Sequence, residues 1–304
     1  MSDLRDAIRG AADRNRPPED WLDRIRERAR KKRRNQRVLA GIVGFGLTLV
    51  VLVALVAQLR EREPLKPADR WNVPAQCGSG TKVSPTGWWR ADGLATDAAG
   101  GHVAVLHGGA TFAPGIVGGA YALDGKDDWV EVPYDPALDV GSQDFTVAFW
   151  VMFTSTPGNR QVLMEDWIET FDSTTSKGWT LVNPNDRSLS LTTGAAGAVT
   201  AHQVDLPVGT WIHVAIRRSA GTLSIFVNGS LAAAQSIADD PLPLDSNTSL
   251  KFGHRGTTSD TPGSLDHRGF FLHGELDEIE LFVGRALSGA QIRHIFKTQS
   301  SCAL

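Results

Sequence analysis

Cysteine is nearly absent from this 304-residue chain, which has only Cys77 and Cys302. With the eight histidines dispersed and no His/Cys cluster in the sequence, nothing suggests a zinc centre. The two cysteines stand near the ends of residues 77–304 and read as one disulfide that closes this region in an oxidising compartment. No Gly-x-Ser-x-Gly, His-Glu-x-x-His or phosphate-cradling glycine loop occurs, so the familiar hydrolase, metalloprotease and nucleotide-binding signatures are missing. There is no internal repeat. Charge is missing altogether from residues 38–57.

That uncharged stretch, "VLAGIVGFGLTLVVLVALVA", is apolar on every face, and at about 1.5 Å per residue it spans roughly 30 Å, the thickness of a bilayer's hydrocarbon core. It reads as a signal anchor, because thirty-seven residues precede it and no small-residue cleavage site closes it. Residues 24–37 carry nine Lys/Arg against four in residues 58–72. The positive-inside rule therefore puts residues 1–37 in the cytoplasm and 58–304 outside. The formal net charge of −3 conceals this division, since residues 1–37 sum to +6 and residues 58–304 to −9. The tail (1–37) reads as two helical pieces broken at "RPP", and its basic run faces anionic lipid rather than nucleic acid. Residues 58–76, with charge and three prolines, read as an extended tether.

From Trp88 onward the pattern is that of strands. "DFTVAFWVMFT", "GTWIHVAIRRS", "GTLSIFVNGS" and "GFFLHGELDEIELFVG" are rich in branched and aromatic residues and bounded by turn formers. Both alternating faces of "FTVAFWVMF" are apolar, which predicts a central strand covered on both sides. Asn228-Gly229 predicts a two-residue hairpin. The segment Ser288–Lys297 predicts a helix capped by Ser288. Trp150 and Trp211 are assigned to the core. The fold class is all-β, a two-sheet antiparallel sandwich.

The run beginning "WWRADGLATDAAGG" and continuing through "FTVAFWV", "GTWIHVAI", "LSIFVNG" and "GELDEIELFVGRALSGAQI" resembles a laminin-G-like, concanavalin A-like lectin/glucanase jelly roll over about residues 86–297. The order and spacing of these segments carry the resemblance. It implies a jelly-roll domain at 77–304, which would follow the one transmembrane helix and helical cytoplasmic tail read from the charge and hydropathy above. Members of that family often hold a structural Ca²⁺, which by position implicates Asp97, Asp124 and Asp277. The alternative is that Asp277 accepts backbone N–H bonds while Asp97 and Asp124 are turn residues.

"GELDEIELF" concentrates Glu275, Asp277, Glu278 and Glu280. The spacing Glu-x-Asp-x-x-Glu is that of a retaining β-glucanase strand. In a regular strand, however, Glu275 and Glu280 fall on opposite faces and point towards solvent. Asp277 would share the core-facing side with Ile279 and Leu281. Only a bulge would bring the two glutamates together. Trp167 and Trp179 flank a polar loop and either stack a sugar ring or cap the core edge. His254 and Arg255 open the glycine-rich stretch 253–269, where recognition loops lie on such scaffolds. These features lead to an expected non-enzymatic binding module for carbohydrate or protein ligands, with Trp167, Trp179, His254 and Arg255 as ligand contacts. It would be anchored in a bacterial plasma membrane, meeting lipid and no nucleic acid. Transmembrane signalling through the tail is the alternative, and a β-glucanase a more distant one.

Overall fold

The computed structural model describes residues 77–78, 81–155, 160–168, 176–184, 187–194, 197–237, 244–255 and 270–303. All fall within the unit Lys66–Leu304. The expected tail 1–37, spanning segment 38–57 and tether 58–76 lie outside the described residues. Among the described residues no helix is long and apolar enough to cross a membrane.

The strands in chain order are β1 Gly87–Trp89, β2 Val105–His107, β3 Thr111–Pro114, β4 Gly119–Asp124, β5 Trp129–Val132, β6 Phe145–Phe153, β7 Gln161–Ile168 and β8 Lys177–Asn183. They continue with β9 Leu189–Thr193, β10 Gly197–Ala201, β11 Trp211–Ser219, β12 Thr222–Val227, β13 Ser230–Ser236, β14 Leu250–Phe252 and β15 His273–Val283, and helix α1 Gly289–Ser300 follows. An eight-stranded sheet runs β13-β12-β11-β6-β15-β4-β3 with β1 also on β15, and a seven-stranded sheet runs β10-β9-β8-β7-β14-β5-β2. The strand pairings are antiparallel, so the expected two-sheet sandwich is present.

Alternation builds the core. On β6, Val147, Phe149, Val151 and Phe153 face the other sheet, where they join Leu163, Met164, Leu181, Leu191 and Phe252. The intervening Ala148 and Trp150 are buried on the opposite side of the same sheet. Strand β6 lies between β11 and β15, covered on both faces as its composition predicts. The β12–β13 hairpin turns at Asn228 (φ 48°) and Gly229 (φ 72°), the left-handed pair that such a turn demands.

Helix α1 covers part of the outer face of the eight-stranded sheet. Its Ile292 and Ile295 pack on Ala148, Ala215, Phe226 and Phe282. Ser288 and Gln291 form a reciprocal capping box that satisfies the first-turn donors. Beyond the helix, Cys302 is bonded to Cys77 across a sequence separation of 225 residues. The pair lies beside Trp150, Val117 and Phe296. Trp150 is buried as expected, while Trp211 is only half-buried at that cluster's edge.

Candidate functional site

Strand β15 does not run regularly through its carboxylates. Asp277 pairs with Trp150 and Glu280 with Ala148, so three steps on β15 match two on β6. The extra residue is Glu278, at φ 49°. This bulge corrects the faces expected from a regular strand. Glu275, Asp277 and Glu280 lie opposite Met152, Trp150 and Ala148 on the outer face, whereas Leu276, Ile279 and Leu281 enter the core between the sheets.

The outer face is closed over most of this row. Asp277 and Glu280 are fully buried, correcting the expectation that Glu280 meets solvent. The Asp277 carboxyl accepts from the backbone N–H of Val117 at 3.0 Å and of Glu278 at 2.6 Å. Glu278 accepts from Trp88 Nε1 at 2.7 Å and lies 3.5 Å from Arg90 Nε. Glu280 accepts from the Gln299 amide at 2.8 Å. Burial pushes the Glu278 carboxyl up to about 8, against the opposing pull of Arg90. Burial and the charge of Glu278 raise Asp277 and Glu280 well above the ordinary carboxylate range. Glu275 is half-buried and lines an open cleft of about 570 Å³ with Thr111, Asp124, Asp127, Asp128 and His273.

Among the described residues, Asp97, Asp124 and Asp277 do not gather into one cluster of acidic ligand atoms. The Asp97 oxygens take N–H bonds from Trp88, Ala99 and Gly100, each at 2.7 Å, and one lies 2.7 Å from His102 Nδ1. Burial opposes ionisation of Asp97, but the His102 ring and these N–H donors outweigh it and hold the carboxyl below its ordinary value. Asp124 instead stands with Asp127 and Asp128, their ligand atoms within 4.8 Å of one another. Hard oxygen donors are the kind calcium takes, and here Asp124 also accepts from the Lys126 N–H and Asp128 from the Gly109 and Asp124 N–H groups. Lys126, 3.1 Å from Asp124, already balances part of their charge.

The outer face of the seven-stranded sheet gathers the other expected residues. Val105, Glu131, Lys251, Glu165 and Thr180 pair in turn across β2, β5, β14, β7 and β8, a row with alternating charge at its centre. Arg255 lies 3.8 Å from Glu165 and 6.0 Å from the Trp167 ring centroid. His254 meets Trp129 edge-on at 5.0 Å and Phe271 at 4.6 Å. His107 stacks on Trp129 with centroids 4.0 Å apart and bonds Glu131 at 2.9 Å. Burial lowers His254 to about 4, so its imidazole is neutral at ordinary pH. Trp167 Nε1 and His254 Nδ1 have no hydrogen-bond partner among the described residues.

Trp167, His254 and Arg255 therefore share one face. Trp179 does not, because it alternates into the core, where it is 1% exposed against Phe145. That placement corrects its expected role. Sequence reasoning missed Trp129, His107, Glu131 and Lys251. "WVEV" offered a clue, since its period-two alternation puts Trp129 and Glu131 together on one face and both valines in the core.

Several solved structures share this fold at low identity. The receptor binding domain of botulinum neurotoxin C/D mosaic serotype matches with TM-score 0.54 and 16% identity, over 71% of this chain and 51% of that one. The serotype D ligand binding domain, in complex with N-acetylneuraminic acid, matches with TM-score 0.54 and 15% identity, over 73% and 53%. This chain thus spans about half the length of the toxin domains it matches. Domain 4 of the extracellular arabinanase AbnA from Geobacillus stearothermophilus, in complex with arabinotriose, matches with TM-score 0.53 and 18% identity, over 70% of this chain and 98% of that one. No curated protein sequence matches. A laminin-G-type family model, described as the concanavalin A-like lectin/glucanases superfamily, matches residues 124–293, more than half of the chain. By that match the chain belongs to the concanavalin A-like lectin/glucanases superfamily.

Proposed function

We propose that this chain is a non-catalytic binding module for carbohydrate or protein ligands, held outside a bacterial plasma membrane by residues 38–57. The observation that carries the binding reading is a sheet face on which Trp129, His254 and Arg255 are partly exposed, beside two buried polar atoms, Trp167 Nε1 and His254 Nδ1, that have no hydrogen-bond partner among the described residues. Aromatic faces with a few convergent polar groups suit sugar rings, which are apolar across the ring and polar at the rim. The arabinotriose and N-acetylneuraminic acid in two structures of similar fold make those glycans suitable first probes.

Burial argues against hydrolysis. A retaining glycosidase needs two accessible carboxyls about 5 Å apart. The bulge does put Glu275 and Glu280 on one face, yet Glu280 is sealed under Gln299 while Glu275 looks into the open cleft. Calcium, if part of this module, is best served by Asp124, Asp127 and Asp128, where it would brace the β4–β5 turn. The experiment is a glycan array on the full chain, with Trp129→Ala and Arg255→Ala beside it. Glycan binding lost in both variants supports the reading. Release of reducing sugar from a β-glucan panel by the wild type would overturn it.

A further inference from the structure

The row that crosses the outer face of the seven-stranded sheet closes from one end to the other. On β2, Val105 is 45% exposed, and the side chains of His107 and Glu131 beside it are 34% and 29% exposed. Lys251 on β14 falls to 9% and Glu165 on β7 to 0%. The reachable end of this face is therefore the β2–β5 edge. There Val105 pairs with Glu131 and His107 with Trp129, and period-two alternation keeps all four side chains on the outer side.

Charge divides along the same line. The cations of the closed end are engaged within the face. Lys251 stands between Glu131 and Glu165 in the row and its Nζ donates to the Ser249 carbonyl at 3.0 Å, while the Arg255 side chain, 11% exposed, lies 3.8 Å from Glu165. Burial keeps the His254 imidazole neutral. At the reachable end, His107 and Glu131 are 2.9 Å apart. That pair is neutral or negative according to the proton on the ring, and never positive. Arg160 is exposed over Phe270, but at the start of β7, two strands away from β5. An anionic group brought to the β2–β5 edge thus meets a carboxylate first.

We propose, resting on the reading of this face as a glycan site, that its ligand is an uncharged glycan taken at the β2–β5 edge. The His107–Trp129 stack gives aromatic surface to the apolar side of a sugar ring, with Val105 as its aliphatic border. Glu131 is the specificity-determining residue. Its carboxylate accepts hydrogen bonds from sugar hydroxyls and repels sugars that carry carboxylates or sulfates, so one group both attracts the right ligand and rejects the wrong one.

The test is a glycan array on the full chain in which uncharged members, arabinotriose among them, stand beside members carrying carboxylates or sulfates, such as N-acetylneuraminic acid. The hits are then titrated at about 50 mM and about 500 mM salt. Uncharged glycans should bind, with affinities that change by less than about twofold over that range. Glu131→Gln, a change at a part-exposed position, should weaken them by about tenfold, because a neutral acceptor replaces a charged one. Acidic glycans bound more tightly than uncharged ones, with affinity that falls with salt and is lost in Arg160→Ala, would overturn this inference and leave the glycan site standing. Undiminished binding in a folded Glu131→Gln would also overturn it. Binding of neither class would remove the glycan reading itself. Should Glu131→Gln fail to fold, the charge preference and salt response of the wild type still decide.

Discussion

His107 lies flat against Trp129, with centroids 4.0 Å apart and planes 11° from parallel, and Glu131 holds its Nε2 at 2.9 Å. The stack fixes the Trp129 ring on the outer face of the seven-stranded sheet, where Trp179 is absent. Two tryptophans of one sheet should therefore respond oppositely to substitution. Trp129→Ala should reduce glycan binding by at least about tenfold and leave the melting temperature nearly unchanged. Trp179→Ala should cost about 3–5 kcal/mol of stability through the cavity it leaves. Binding curves and thermal melts of both variants check this.

Stability should fall as pH rises. Asp277, Glu278 and Glu280 have folded-state values above the unfolded value, roughly 3.9 for an aspartate and 4.3 for a glutamate. Their contribution is complete below that value and is lost as pH rises through the folded values, about 8 for Glu278. Asp97 acts in the opposite sense. Its value is lowered, so its contribution is present above the unfolded value and is lost as pH falls through the folded one. Thermal melts should show an optimum in mild acid, and Glu280→Gln should raise the melting temperature by about 2–4 °C near pH 8.

Calcium separates two kinds of aspartate. Chelation should lower the melting temperature of the wild type, since a ligand bound only by the folded state stabilises it. Asp127→Asn should abolish that response. Asp97→Asn should destabilise the chain by about 1–3 kcal/mol with or without chelator, because its oxygens serve N–H donors. A wild-type melt unchanged by chelator would remove calcium from the account.

The disulfide predicts a linked peptide containing Cys77 and Cys302 in a non-reduced digest. Replacing both with serine should lower stability by about 3–5 kcal/mol, as the unfolded chain regains the entropy of a long open loop.

The anchor proposal predicts that protease added to spheroplasts digests residues beyond 76 and spares an N-terminal tag. Loss of the tag with survival of the β domain would reverse the orientation.

The strand pattern was readable wherever alternation was strong, as in β6, in the Asn228-Gly229 hairpin and in the capped helix. These depend on local periodicity and turn chemistry. The carboxylate row was misread because its faces depend on Glu278 adopting positive φ, a conformation uncommon for glutamate and unmarked in "LDEIE". Its burial depends on Trp88, Arg90 and Gln299, which lie far from β15 in sequence or on a helix whose docking periodicity does not specify. Trp179 shows the same limit on a smaller scale. A flanking position in sequence said nothing of inward or outward, and only the pairing of β8 decided it.

The bond between Cys77 and Cys302 brings the entrance and exit of the β domain to within 5.8 Å, measured between Cα atoms. A domain whose ends coincide can be spliced into a surface loop of another protein without stretching either partner. It can also be reopened elsewhere, for instance at the Asn228-Gly229 turn, with a short peptide joining the old termini. In such a rearranged chain the covalent staple becomes redundant, because the new peptide connection does the work of closing the ring.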